Sequence, residues 1–137
     1  MKVVLDTNVV ISGIFFPGPP SLILEAWRQG RFQLVISREI FEAYARTASF
    51  LAEKYPPIDI EGILTIIKKD GEFYNAPALA KQVCVDPADD KFLECALKGG
   101  AAIIISGDKH LLDVSEFHGI KILRPREFIE RFLTGET

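Results

Sequence analysis

The chain has 137 residues, of which 48% are hydrophobic and 26% charged, and its formal net charge is −3. This balance is typical of one globular domain with a substantial core, and it excludes disordered and collagen-like chains. No apolar stretch approaches the roughly 20 residues of a membrane helix, and the first strand starts at the N-terminus, so we expect a cytoplasmic protein with no membrane partner. Cys84 and Cys95 lack CxxC spacing and are expected to be reduced.

Short aliphatic runs alternate with helical patterns along the chain. Strands are predicted at residues 2–5, 32–36, 101–105 and 119–123. Helices are predicted at residues 9–15, 21–28, 38–54, 59–69, 86–99, 109–112 and 125–133. Residues 71–85 give no clear pattern beyond short extended pieces at 73–74 and 83–85. We therefore predict one domain over residues 1–137, an α/β fold with three layers, α/β/α, around a central parallel sheet.

Carboxylates stand where the predicted topology brings elements together. Asp6 follows the first strand, Asp108 follows the run at 101–105, and Asp90 stands near a helix start. Glu42 or Glu39 lies on the helix after the second strand. Ligands bind at the carboxyl ends of parallel strands, and clustered carboxylates require a cation. Oxygen ligands without a Cys/His cluster favour Mg²⁺ or Mn²⁺ over zinc, and such an ion suits attack on a phosphodiester.

Each of these acids also has a structural explanation that the sequence leaves open. A helix-capping role suits five residues at predicted helix starts: Asp6, Asn8, Asp86, Asp89 and Asp90. Asp108 suits the turn that it forms with Ser106 and Gly107. Exposed glutamates are common on helix surfaces, which is the alternative for Glu39 and Glu42.

Four segments carry a resemblance to a known family. They read VLDTNVVISG (4–13), LVISREIFEAY (34–44), DPADDKFLECAL (86–97) and IISGDKHLL (104–112). The chain resembles PIN-domain proteins of the prokaryotic type that includes the ribonuclease toxins of toxin–antitoxin pairs. The resemblance implies that Asp6, Asp90 and Asp108 bind metal, that Asn8 and Ser106 are supporting polar residues, and that the activity is Mg²⁺- or Mn²⁺-dependent cleavage of RNA.

One position departs from the family pattern. The helix acid is expected six residues after Ser37, where this chain has Ala43. Glu42 is adjacent, but neighbouring helix positions differ by about 100° in direction, whereas Glu39 shares the face of position 43 about 6 Å further back. We take Glu42 as the fourth ligand or water-positioning residue, with Glu39 and Asp89 as secondary candidates.

The sequence thus predicts a metal-dependent endoribonuclease that acts on RNA, with a toxin role, an antitoxin partner and a homodimer as further expectations. Outside the four proposed site acids the charges nearly balance, so a phosphate-bearing substrate is not excluded. One alternative is a noncatalytic PIN-like domain that binds RNA or protein, which the Ala43 departure motivates. Another is a phosphotransfer enzyme with Asp6 as nucleophile, which Asn8 disfavours because such enzymes usually have a second aspartate there.

Overall fold

A computed structural model describes residues 1–55 and 57–133, and within these ranges six strands form one sheet in the order β3-β2-β1-β4-β6-β5. The strands are β1 (Lys2–Leu5), β2 (Gln33–Ile36), β3 (Glu72–Phe73), β4 (Ile103–Ile105), β5 (Glu116–Phe117) and β6 (Ile120–Leu123). The helices are α1 (Thr7–Phe15), α2 (Pro19–Arg28), α3 (Arg38–Ala52), α4 (Ile60–Asp70), α5 (Asp90–Gly99), α6 (Lys109–Leu112) and α7 (Pro125–Phe128). A 3₁₀ turn at Pro87–Asp89 precedes α5, and a π-helical segment at Ile129–Leu133 follows α7. Residues 56 and 134–137, which the predicted domain includes, lie outside the described ranges.

The predicted three-layer α/β class is confirmed, with one correction to the sheet. Strand β5 was not predicted, and it pairs antiparallel with β6, so the sheet is mixed and only mostly parallel. The strand escapes prediction because it has two residues and no visible alternation. The turn that makes it possible is formed by His118 and Gly119, which both adopt positive φ (51° and 82°), as tight hairpin turns require.

The order of the strands creates a crevice beside β1. The chain builds β1, β2 and β3 outward in one direction and places β4 and β6 on the other side of β1. Both neighbours of β1 run parallel to it, with Val3 opposite Leu34 and Ile103. Ligand sites in such sheets lie where the strand order reverses, beyond the carboxyl ends of the strands. The fold therefore directs attention to the residues that follow β1 and β4.

Buried polar contacts fix the ends of β1 and β2. Residues 3–5 of β1 are fully buried, and the hydroxyl of Tyr44 on α3 donates a hydrogen bond to the carbonyl of Leu5. Ser37 ends β2 and caps α3, because its Oγ accepts a hydrogen bond from Ile40 N at 3.2 Å. Helix α5 packs against β1 and β2. The end of β1 is thus held by α3 as well as by its neighbouring strands.

Within residues 1–55 and 57–133, no single helix is both long enough and apolar enough to cross a membrane. Helices α1 and α2 satisfy that test only when taken together, and they meet at an angle of 93°.

Candidate active site

Asp6 lies at the carboxyl end of β1, on the side where the strand order reverses. It follows β1 directly, is 4% exposed, and its backbone N–H donates to Ile105 O at 3.0 Å. Although Asp6 precedes α1, its side chain makes no capping hydrogen bond. Its Oδ2 instead accepts a 2.6 Å hydrogen bond from Ser106 Oγ. Burial raises the pKa of Asp6, the Ser106 hydrogen bond counteracts that rise, and the charge of Asp108 adds to it.

Ser106 joins two of the acids. It is fully buried after β4, and its Oγ both donates to Asp6 Oδ2 and accepts from Asp108 N at 2.9 Å. Asp108 Oδ1 accepts a hydrogen bond from His110 N at 3.0 Å, which caps α6. Asp108 therefore shapes the local turn and also contributes charge to the cluster. The sequence predicted a supporting role for Ser106, and the hydroxyl contacts indicate how it can support both neighbours.

Asp89, a secondary candidate in the sequence, is within electrostatic reach of Asp6 and Asp108. Its side chain is 14% exposed, and its buried Oδ2 has no hydrogen-bond partner among the described residues. Burial is the main reason that the pKa of Asp89 rises to about 6, and the charges of Asp108 and Asp6 raise it further. A buried carboxylate oxygen without a donor is unfavourable unless another group neutralises it. Asp89 is thus the acid of this cluster whose environment most requires a cation.

Asp90 is arranged differently from its neighbour. It is 6% exposed at the first residue of α5, and both carboxylate oxygens accept backbone hydrogen bonds, Oδ1 from Cys84 N at 2.8 Å and Oδ2 from Val83 N at 3.0 Å. These bonds attach the loop before α5 to the helix. Asp86 makes a local cap, its Oδ1 accepting from Ala88 N at 2.9 Å. Of the three aspartates near this helix start, Asp89 has the unpartnered oxygen.

The two glutamates of α3 remain outside this cluster. Glu42 is paired with Arg38, with Nε and Oε2 3.7 Å apart, and its side chain is 59% exposed. It lines a surface cavity with Phe41, Lys68 and Phe73. Glu39 is exposed beside a neighbouring cavity, and its charge reaches Cys95, whose pKa it helps to raise. Ala43 occupies the buried position between these faces, at 7% exposure. Among the described residues, therefore, neither glutamate contacts Asp6.

Among the described residues, Asn8 makes no hydrogen bond with the acids, whereas Lys91 and His110 interact with them electrostatically. Asn8 is exposed in the first turn of α1, and its side chain has no hydrogen-bond partner in the part of the chain that the structure describes. Lys91 was not singled out from the sequence, yet its charge lowers the pKa of both Asp6 and Asp89. His110 also lies beside the cluster, with its Nδ1 3.5 Å from Asp89 Oδ2. The signal for Lys91 was its place directly after the acidic pair.

The donor set fits a hard divalent cation. Asp6, Asp89 and Asp108 offer carboxylate oxygens; the charge of Asp108 raises the pKa of Asp6, and the charges of Asp108 and Asp6 raise the pKa of Asp89. Carboxylate oxygens are the ligands that Mg²⁺ and Mn²⁺ prefer. The unpartnered Oδ2 of Asp89 gives such an ion a specific atom to bind. The cluster can thus neutralise phosphate charge through a bound cation.

Comparison with known proteins places the chain in a family. Residues 2–110 match the family model of the PIN domain. The chain is also 34% identical over 145 residues to the uncharacterized protein MJ1680 of Methanocaldococcus jannaschii, and the alignment covers 96% of this chain and 92% of that protein. The PIN match includes every acid described above. The chain therefore belongs to the PIN-domain family, whose members are generally metal-dependent nucleases.

Proposed function

We propose that this single-domain protein is a metal-dependent endoribonuclease that uses Mg²⁺ or Mn²⁺. The observation that carries the proposal is the buried Asp89 oxygen that has no hydrogen-bond partner among the described residues, in a carboxyl whose pKa the charges of Asp108 and Asp6 help to raise. RNA is taken as the substrate because the motifs resemble those of prokaryotic ribonuclease toxins. The free, buried Cys84 and Cys95 suit the reducing cytoplasm that we propose as its compartment.

In this proposal the residues have distinct roles. Asp6, Asp89 and Asp108 hold the ion, and Ser106 fixes the orientation of the Asp6 carboxylate through its 2.6 Å hydrogen bond. When bound, a divalent ion supplies charge neutralisation at the scissile phosphate and activation of a water molecule. Lys91, in the first turn of α5, lowers the pKa of Asp6, and its Nζ donates to Ala88 O at 2.8 Å; its other N–H groups suit contact with an RNA phosphate. Asp90, the sequence-predicted ligand, acts instead by fixing the loop before α5.

The test is cleavage of a mixed pool of labelled single-stranded RNAs in Mn²⁺, Mg²⁺ or EDTA. Wild type and Asp6→Asn are compared with Asp70→Asn, an exposed aspartate at the end of α4 that serves as a matched control. We expect metal-dependent cleavage by wild type and Asp70→Asn and none by Asp6→Asn. Equal cleavage by all three proteins would show that the activity comes from elsewhere, including a contaminant.

A second candidate function is a noncatalytic PIN-like domain that binds RNA or protein. It is favoured by one observation: position 43 holds a buried alanine, while Glu42 is paired with Arg38 at the surface. This candidate predicts RNA binding that EDTA leaves unchanged and no cleavage with any metal. The same RNA pool, assayed by filter binding beside the cleavage assay, distinguishes the two functions.

The proposed biological role is that of a toxin with an antitoxin partner, acting as a homodimer. The resemblance supports the toxin role, and the exposed apolar side chains Phe16 (45%) and Leu22 (56%) near α1 and α2 support a protein interface. Inducible expression should arrest growth for wild type and not for Asp6→Asn. Light scattering of wild type and Leu22→Glu tests the dimer, since a charged side chain at the interface should yield monomers.

A further inference from the structure

His110 stands beside the acidic cluster at a distance that an ordinary hydrogen bond does not explain. Its Nδ1 lies 3.5 Å from Asp89 Oδ2 and 3.9 Å from Asp108 Oδ1. Hydrogen bonds between nitrogen and oxygen are normally about 2.7–3.2 Å long. The three residues Asp86, Asp89 and His110 can each offer one ligand atom, all within 4.8 Å of one another. The imidazole therefore lies close to the carboxylate oxygens of Asp89 and Asp108 but forms no hydrogen bond of ordinary length with either of them.

The spacing suits an ion shared between the ring and the carboxylates. Two ligand atoms bound to one ion at about 2.0–2.2 Å lie roughly 3–4.4 Å apart, and both His110 distances fall in this range. The Oδ2 of Asp89 adds a second observation, because it is buried without a hydrogen-bond partner among the described residues and is nearer to Nδ1 than the Oδ1 of Asp108 is. A cation between them would satisfy both atoms, whereas the 3.5 Å contact alone leaves the oxygen without a donor.

We propose that His110 is a further ligand of the proposed cation, on the side of the site where Asp89 and Asp86 also offer oxygens, and that its imidazole shifts the preference of the site from Mg²⁺ toward transition-metal ions such as Co²⁺. Imidazole nitrogen binds transition metals well and Mg²⁺ poorly, whereas carboxylates accept both. The inference rests on the proposed metal site and not on RNA cleavage. It assigns to His110 a role in metal selection that the acids alone cannot supply.

The chain offers a matched control in its other histidine. His118 is exposed in the turn between β5 and β6, and its ring packs edge-on against Phe117 with centroids 4.4 Å apart. The substitutions His110→Gln and His118→Gln remove one imidazole each and leave every acid in place. Gln at position 110 carries a carbon, Cδ, one bond beyond Cγ, where histidine carries the ligand nitrogen Nδ1.

The experiment is calorimetric titration of the folded proteins with Co²⁺ and with Mg²⁺, supported by the visible absorption of bound Co²⁺. We expect His110→Gln to weaken Co²⁺ binding about tenfold or more, to change Mg²⁺ binding less than about twofold, and to alter the Co²⁺ spectrum. His118→Gln should match wild type in all three measurements. Unchanged Co²⁺ affinity and spectrum in His110→Gln would overturn the inference, as would an equal loss of Mg²⁺ and Co²⁺ binding.

Asp6→Asn separates this inference from the proposed function. If Asp6→Asn abolishes binding of both ions while His110→Gln changes neither, the metal site stands and the role of His110 is refuted. If Asp6→Asn leaves both ions bound while His110→Gln weakens Co²⁺ binding, His110 is a ligand and the proposed nuclease site is wrong.

Discussion

Replacing Ser106 with Ala removes the hydroxyl that joins two of the site acids. This hydroxyl donates to Asp6 Oδ2 at 2.6 Å and accepts from Asp108 N at 2.9 Å, in a position with no solvent exposure. A hydrogen bond to a charged group contributes about 1.5–3 kcal/mol and a neutral one about 0.5–1.5 kcal/mol. We therefore expect the free energy of unfolding at pH 8 to fall by about 2–4.5 kcal/mol. With a urea dependence of about 2 kcal/mol per M, the midpoint should fall by about 1–2 M.

The part of this loss of stability that comes from the hydrogen bond to the Asp6 carboxylate depends on pH. Ser106 lowers the pKa of Asp6 in the folded protein, so the variant should have a higher folded-state pKa at Asp6 than wild type. Above that pKa the variant is less stable than wild type by about 1.4 kcal/mol per unit of difference. Below the wild-type pKa, Asp6 is protonated in both folded proteins, and this part of the deficit disappears. The deficit should therefore shrink as the pH falls from 8 toward 4.

Ser37→Ala is the matched control for Ser106→Ala. Ser37 is also a buried serine that follows a strand, but its Oγ caps α3 through Ile40 N, so its loss should cost about 1 kcal/mol. Mn²⁺ titration should give an affinity about 10–100-fold weaker for Ser106→Ala and unchanged for Ser37→Ala. The reasoning is refuted if Ser106→Ala binds Mn²⁺ like wild type, or if its stability deficit is the same at pH 4 and pH 8.

Three further predictions concern other residues near the site. Asp89→Asn should weaken Mn²⁺ binding at least about tenfold, whereas Asp90→Asn should chiefly lower stability, by about 1–3 kcal/mol, because it disturbs the bonds to the loop amides; titration and urea unfolding of both variants would show the reverse pattern if Asp90 is the ligand. Ala43→Glu places a carboxylate at a buried position, so it should destabilise the metal-free protein and bind Mn²⁺ more tightly than wild type; unchanged affinity in the titration would mean that position 43 does not face the ion. Burial raises the pKa of Cys84 and Cys95 to about 12, so both should stay protonated at pH 8 and react with a thiol reagent only in denaturant; rapid reaction of the native protein would contradict this.

The sequence predicted the parts of the fold that short apolar runs determine. Strands β1, β2, β4 and β6 follow from such runs, and the capping of α3 follows from Ser37. Strand β5 depends on a turn with two positive φ angles. A His-Gly pair can adopt these angles, but it is not specific enough to predict the turn. The loop before α5 lacks a pattern of its own because its shape is set by hydrogen bonds to Asp90.

The candidate site was predictable where a strand end places the residue. Asp6 and Ser106 follow strands directly and Asp108 comes two residues after Ser106, so topology brings these elements together. Asp89 and Asp90 are consecutive, and the exact start of α5 decides which of them faces the cluster and which faces the loop. A one-residue difference at a helix start is beyond what residue spacing can determine. The position of Glu42 on α3 is a different case, since its pairing with Arg38 four residues earlier has the spacing of a surface ion pair on a helix.

The sheet ends in unusually short strands on both sides. Its outer strands, Glu72–Phe73 and Glu116–Phe117, have two residues each and each begins with a glutamate. An edge of this length offers few free backbone groups to an incoming strand, and a charged side chain there opposes addition further. Concentrated samples should therefore resist aggregation by edge-to-edge strand pairing, and the homodimer that we propose would have to form through helices.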